Sequence, residues 1–187
     1  MTRPHSAQVA APISPVKLAH FVLRSRHYQA SIDWWKNLLG ARIQFSSPFL
    51  CFLTYDEEHH RLAIVNTPDL EAPDLGAAGI DHVAFTYADL DSLLSNYERL
   101  KAAGVAPHLC INHGPTTSLY YRDPDGTQVE LQVDNFPTLD EASAWFHSEA
   151  FRANPIGVVF DADIMVEKLR AGTPASVLLK QGSASPS

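Results

Sequence analysis

Lys17-Leu-Ala-His-Phe-Val-Leu23 (KLAHFVL) is echoed by Gly79-Ile-Asp-His-Val-Ala-Phe85 (GIDHVAF), a match that superimposes His20 on His82. Each copy is followed by a helical pattern closed by glycine, SIDWWKNLLGARI at Gly40 and DSLLSNYERLKAAGV at Gly104, as helices that end in a left-handed residue do. Apolar, strand-like segments come next: FLCFLTY and HHRLAIVN in the first copy, APHLCI, TSLYYR and TQVELQV in the second. Each copy therefore reads βαβββ, and the chain carries an internal repeat.

One such copy leaves a face of its four-stranded sheet open, whereas two can cover each other. The expected fold is α+β, with paired βαβββ modules forming a cupped eight-stranded mixed sheet and helices on its outer faces. The modules are expected over about 15–68 and 79–135, together one domain at 15–135. PDLEAPDLGAAG links them. Beyond Phe136 a helical extension is expected over 136–175, with Thr138 capping LDEASAWFHSEAFRAN and Asp161 capping ADIMVEKLRA before Gly172. Residues 1–14 and 176–187, rich in Pro, Ser and Ala, are expected to be flexible.

The chain has 187 residues, 45% of them apolar, enough to bury a core. With 14 Lys plus Arg against 21 Asp plus Glu, the net charge is -7, so it offers no basic face for nucleic acid. No segment is long and apolar enough for a membrane span. The cysteines, Cys51 and Cys110, lie in apolar contexts without CxxC spacing and read as reduced, buried thiols, which points to the cytoplasm.

Alternation along a strand divides its side chains between two faces. Val129, Leu131 and Val133 belong against the helices, so Glu130 points into the cup. The same pattern around Val83 and Phe85 turns His82 inward, and the repeat turns His20 inward. DPDG, residues 123–126, supplies a turn between this strand and the preceding one. Two imidazoles and a carboxylate are the ligand set of non-heme Fe(II) oxygenases; the same donors suit Mn(II) and do not exclude Zn(II). Aligning HRLAIV with TQVELQ puts Ala63 where Glu130 stands. A fourth ligand is therefore missing, which leaves room for a chelating diol and O2.

Over roughly residues 16–135 these features resemble the vicinal oxygen chelate superfamily and, within it, the single-domain type I extradiol dioxygenases. The resemblance implies His20, His82 and Glu130 as ligands of Fe(II), with Mn(II) as the alternative. It also implies Tyr120, ten residues before Glu130, as a second-sphere partner. His60, in the context His60-Arg61-Leu62-Ala63-Ile64, matches the family's acid/base histidine, and His113, in NHGPTTSLYY, matches a histidine that precedes the tyrosine. The interval from His60 to His82 is longer than usual in that family and the loop from His113 to Tyr120 shorter.

The expected activity is insertion of O2 into a catecholic (ortho-dihydroxy) aromatic ring, with a small diol and O2 as the partners and a homo-oligomer, a dimer, as the assembly. The alternatives are a metal-dependent lyase or isomerase of the same superfamily and a metal-free small-molecule sequestering protein on the same fold.

Overall fold

In a computed structural model, residues 12–74 and 76–186 are described. The first eleven positions of the expected flexible N-terminal segment lie outside them. The first module runs β1 (Phe21–Ser25), α1 (Tyr28–Leu39), β2 (Arg42–Ser46), β3 (Leu50–Thr54) and β4 (Leu62–Asn66). The second runs β5 (His82–Thr86), α2 (Leu90–Ala102), β6 (Leu109–Asn112), β7 (Thr116–Arg122) and β8 (Gln128–Asp134). Gly40 and Gly104, at φ 62° and 79°, stop the two helices in the left-handed region that side chains disfavour.

Both modules have the same strand order. β1-β4-β3-β2 form a four-stranded sheet, and β5-β8-β7-β6 form its counterpart. The second sheet gains a fifth strand, β9 (Val158–Val159), laid antiparallel on β6. The expected eight strands are thus present with one addition, and they form two sheets. β1 and β5 share no backbone ladder and meet through side chains, with the Phe21 and Phe85 rings 6.1 Å apart.

The apolar alternation is realised as one core shared by both modules. Ile32, Trp35 and Leu38 of α1 and Leu93, Leu94 and Leu100 of α2 pack with Leu53, Leu62 and Ile64 of one sheet and Leu119, Val129 and Leu131 of the other. Trp35 and Leu38 have no exposed surface.

The DPDG segment does more than reverse the chain. It occupies a loop between β7 and β8, where the Asp123 carboxylate accepts from the N–H groups of Asp125 (2.9 Å) and Thr127 (2.8 Å). Its other oxygen accepts from the indole Nε1 of Trp35 at 3.1 Å, inside the first module. Asp125 also crosses over. It accepts from the Ser25 and Ser31 hydroxyls and from the backbone N–H of Arg26 at 3.1 Å. Two carboxylates of one turn therefore clasp the other module, Asp123 within α1 and Asp125 at the β1–α1 junction. Burial pushes the Asp123 carboxyl up. For Asp125 burial acts in the same direction, but hydrogen bonds from Ser25, Arg26 and Ser31 outweigh it and hold the carboxyl below its ordinary value.

A depressed carboxyl stabilises the fold above its unfolded-state value, and that stabilisation is lost as pH falls through the folded value. Asp125→Asn is accordingly expected to lower stability at pH 7 by about 1–3 kcal/mol. It also removes part of the acid-side decline that the natural chain shows. Urea denaturation at pH 7 and at successively lower pH measures both.

The C-terminal segment departs from expectation in two places. The single helix expected after Thr138 is broken into α3 (Leu139–Trp145) and α4 (Glu149–Ala153). Ser148 competes as a second N-cap, accepting from the N–H of Phe151 at 3.1 Å. Asp161 caps α5 (Ala162–Arg170) as expected, through the N–H groups of Asp163 and Ile164. The tail expected to be flexible, residues 176–187, is folded onto the core over its described length. α6 (Ala175–Leu178) leads into it, Leu178 and Ala184 are buried, and the Ala184 carbonyl accepts from the N–H of Asp161. Leu178 and Ala184 join the core, so a segment whose composition suggests disorder is packed. No described helix is long and apolar enough to cross a membrane, and both cysteines are free.

Candidate active site

The strand registers test the repeat at single-residue resolution. β1 and β4 run parallel with Val22 opposite Ala63, and β5 and β8 run parallel with Ala84 opposite Glu130. In each module that position lies two residues beyond the histidine, so His20 corresponds to His82 and Ala63 to Glu130. Across the adjoining antiparallel ladders Phe52 faces Ala63 and Tyr120 faces Glu130. The two halves are alike in backbone and opposite in chemistry: apolar at Phe52 and Ala63, polar at Tyr120 and Glu130.

The polar half is assembled. His82 Nε2 lies 3.0 Å from a carboxylate oxygen of Glu130, a side chain that is almost fully buried. His82 Nδ1 is held by Asp81 at 2.7 Å, and Asp81 in turn accepts from Gln128 Nε2 at 3.1 Å. A carboxylate on the far nitrogen is the arrangement by which proteins orient a metal-binding imidazole. Tyr120 stands edge-on to the His82 ring at 5.4 Å, and its hydroxyl is 3.0 Å from His113 Nε2. Burial, then the neighbouring Glu130 charge, pushes the Tyr120 hydroxyl far up, so it remains protonated.

The other half holds His20 and His60, whose ring centroids are 4.2 Å apart. His60 is stacked on Phe52 at 4.5 Å, and its Nδ1 is 2.6 Å from that of His59. Burial, then the charges of His20 and His59, hold His60 below its ordinary histidine value. It is therefore neutral and able to accept a proton at pH 7.

Alternation would place His60 on the face of Leu62, which is in the core. Instead the strand begins at Leu62, the preceding residues form a bend, and the ring lies over Phe52, opposite Ala63. His59 and His60 are thus close neighbours, where alternation would have separated them.

His20 sits just before β1. Arg61 Nη1 donates to the carbonyls of Leu18 (2.7 Å) and Ala19 (3.1 Å), while its Nε donates to Asp56 at 2.9 Å. A cavity of about 260 Å3 brings His20 to the seam with Val83, Ala84 and Phe85, and Ala84 is the ladder neighbour of Glu130. Among the described residues no three His, Cys, Asp or Glu side chains already converge as a metal cage. His82 and Glu130 are in contact, and His20 makes its contact with His60.

The donor chemistry nevertheless suits a divalent first-row metal: two imidazole nitrogens, one buried carboxylate and a supporting carboxylate behind one histidine. Sequence reasoning had not included Asp81, Arg61 or Phe52. Asp81 had a signal in its position directly before His82. Arg61 and Phe52 had none, because the fold brings the Leu18 and Ala19 carbonyls to one and the Ala63 position to the other.

A two-module mixed fold with an inner face of this composition is a glyoxalase-type fold. The chain belongs to the Glyoxalase/Bleomycin resistance protein/Dioxygenase superfamily, whose family profile matches residues 17–131. Among individual proteins, it is 48% identical over 159 residues to biphenyl-2,3-diol 1,2-dioxygenase 2 of Rhodococcus globerulus, covering 84% of each chain. It is 43% identical to biphenyl-2,3-diol 1,2-dioxygenase 3 of the same organism, covering 87% of this chain and 86% of that one. A crystal structure of a glyoxylase/bleomycin resistance protein/dioxygenase domain from Frankia superimposes with a TM-score of 0.56 at 18% identity, covering 67% of this chain and 96% of that one. That likeness concerns the fold alone.

Proposed function

We propose that this chain is an extradiol-type dioxygenase that opens a catecholic ring beside its two hydroxyls with O2. His20, His82 and Glu130 are the proposed ligands of Fe(II), with Mn(II) as the alternative. The observation that carries this reading is the contact chain His82–Glu130–Tyr120–His113 on one inner face. Two relatives at 43–48% identity, both biphenyl-2,3-diol dioxygenases by name, support it.

When bound, the metal supplies the electron-transfer route between diol and O2 and orients both. The side chains manage protons. His60, neutral at pH 7, takes a hydroxyl proton from the diol at a ring nitrogen and returns one later. The Tyr120 hydroxyl oxygen accepts from the other diol hydroxyl, while its own hydrogen is turned to His113, which serves as the acceptor behind it. Phe52 and Ala63 leave this register position of the first module without a competing ligand. The lyase or isomerase alternative is disfavoured because Ala63 occupies the register position of a second carboxylate.

Anaerobic purification followed by metal analysis should find about one iron per chain. Oxygen uptake with 2,3-dihydroxybiphenyl or catechol, with a yellow ring-opened product, tests the reaction directly. If iron-loaded protein takes up no oxygen with any of a panel of diols, this reading fails.

Asp81→Ala is expected to lower metal affinity by roughly 10–100-fold, the usual cost of removing a carboxylate behind a ligating histidine, with little change in fold. Metal titration followed by oxygen uptake measures it. A homo-oligomer, a dimer, is part of the reading. The exposed Ile43 and Phe45 on edge strand β2 support it, and light scattering tests it.

A further inference from the structure

We infer that the C-terminal extension builds half of the His113 site, with the Ile156 carbonyl fixing His113 as the Nδ1–H tautomer so that Nε2 presents its lone pair to Tyr120. The inference rests on the reading of Tyr120 and His113 as catalytic partners. It assigns a task to residues beyond 131, where the family profile ends.

The tautomer follows from hydrogen-bond chemistry. His113 Nδ1 contacts the Ile156 main-chain oxygen. A carbonyl can only accept, so that nitrogen carries a proton, and in the neutral imidazole the opposite nitrogen is left as the acceptor. It lies 3.0 Å from the Tyr120 hydroxyl. A histidine side chain free in water favours the other tautomer, so the protein has selected this one.

The carbonyl is held in place from several sides. Gly157, at φ 107°, runs so close that a Cβ there would lie 2.4 Å from the Asn112 carbonyl oxygen and 2.7 Å from His113 Cα. Only glycine fits such an approach. Asn154 brackets it, accepting from the Gly157 N–H at 3.0 Å and donating to its carbonyl at 2.6 Å. β9 then pairs with β6 through Val158 opposite Asn112. On the other side the Trp145 indole of α3 lies over Gly114, where a Cβ would come within 2.2 Å.

The consequence is directional. As the Tyr120 oxygen takes a proton from the diol its own passes to His113 Nε2, and the imidazolium so formed keeps its Nδ1–H on Ile156. Ile156 and Gly157 are therefore positioning residues.

Long-range 1H–15N correlation of the histidine rings in the full chain, with and without Zn(II) as a diamagnetic probe, reads the tautomer. His113→Gln identifies the resonances. Above neutral pH the natural chain should show His113 protonated at Nδ1. Gly157→Ala, which displaces the carbonyl, and Asn154→Ala, which only releases the loop, should both move the proton population toward Nε2. In the iron-loaded enzyme kcat should fall by roughly tenfold or more, with KM for the diol changing far less. His113 protonated at Nε2 in the natural chain overturns the inference, as does an unchanged tautomer in a folded Asn154→Ala variant. If the tautomer shifts as expected while oxygen uptake is unaffected, the positioning stands and the catalytic reading of His113 falls.

Discussion

Glu130→Ala is expected to abolish both iron retention and oxygen uptake. The carboxylate is the only anion among the three proposed ligands, is almost entirely buried, and has His82 Nε2 at 3.0 Å and Tyr120 across the ladder. Alanine removes the charge that offsets the cation and leaves a void in the second sheet. The loss should exceed the roughly 10–100-fold expected for the supporting Asp81. Glu130→Gln keeps the volume and isolates the charge: it should fold normally, bind iron poorly and take up oxygen at background rates. Metal analysis and an oxygen electrode decide it. Iron bound at the natural stoichiometry by Glu130→Ala would remove Glu130 from the proposed ligand set.

The second large effect concerns stability. Trp35→Ala should cost about 3–5 kcal/mol, as large-to-small changes at fully buried aromatic sites do. The indole has no exposed surface, packs edge-on against Phe21 (5.7 Å) and Phe85 (6.2 Å), and donates to Asp123 in the other module. Its removal opens a cavity at the seam and leaves a buried carboxylate short of a donor. For a chain of this size the melting temperature should fall by roughly 6–20 °C. Trp35→Phe keeps most of the volume and loses only the donor, so it should lie between the two. Calorimetry on the three proteins separates the packing and hydrogen-bond contributions. A drop smaller than about 2 °C for Trp35→Ala would mean that the two modules do not depend on this contact.

The carboxylates that clasp the modules are also those of the turn between Tyr120 and Glu130. Asp123 ties this hairpin to α1 and Asp125 ties it to the β1–α1 junction, and so they place Glu130 relative to His20. Stability and the geometry of the proposed metal site are coupled through one loop.

The sequence by itself determined the repeat, its βαβββ order and the faces of the residues within regular strands. His82, Glu130 and Tyr120 were legible because alternation is a local property: the pleat sends every second side chain to one face. The correspondence of Ala63 with Glu130 was legible for the same reason, and the ladder registers agree with it.

Tertiary structure decided what local periodicity does not encode. His60 precedes its strand, so alternation could not orient it, and its ring follows Phe52 instead. Ser148 outcompeted the continuous helix suggested after Thr138. The tail, ending in small and polar residues, packed through Leu178 and Ala184 once the rest of the core offered a surface. The contacts of Asp125 with Ser25 and Ser31, and of His113 with Ile156, join residues far apart in the chain. Such contacts leave no pattern in either segment alone, because they depend on where the folded backbone brings donor and acceptor.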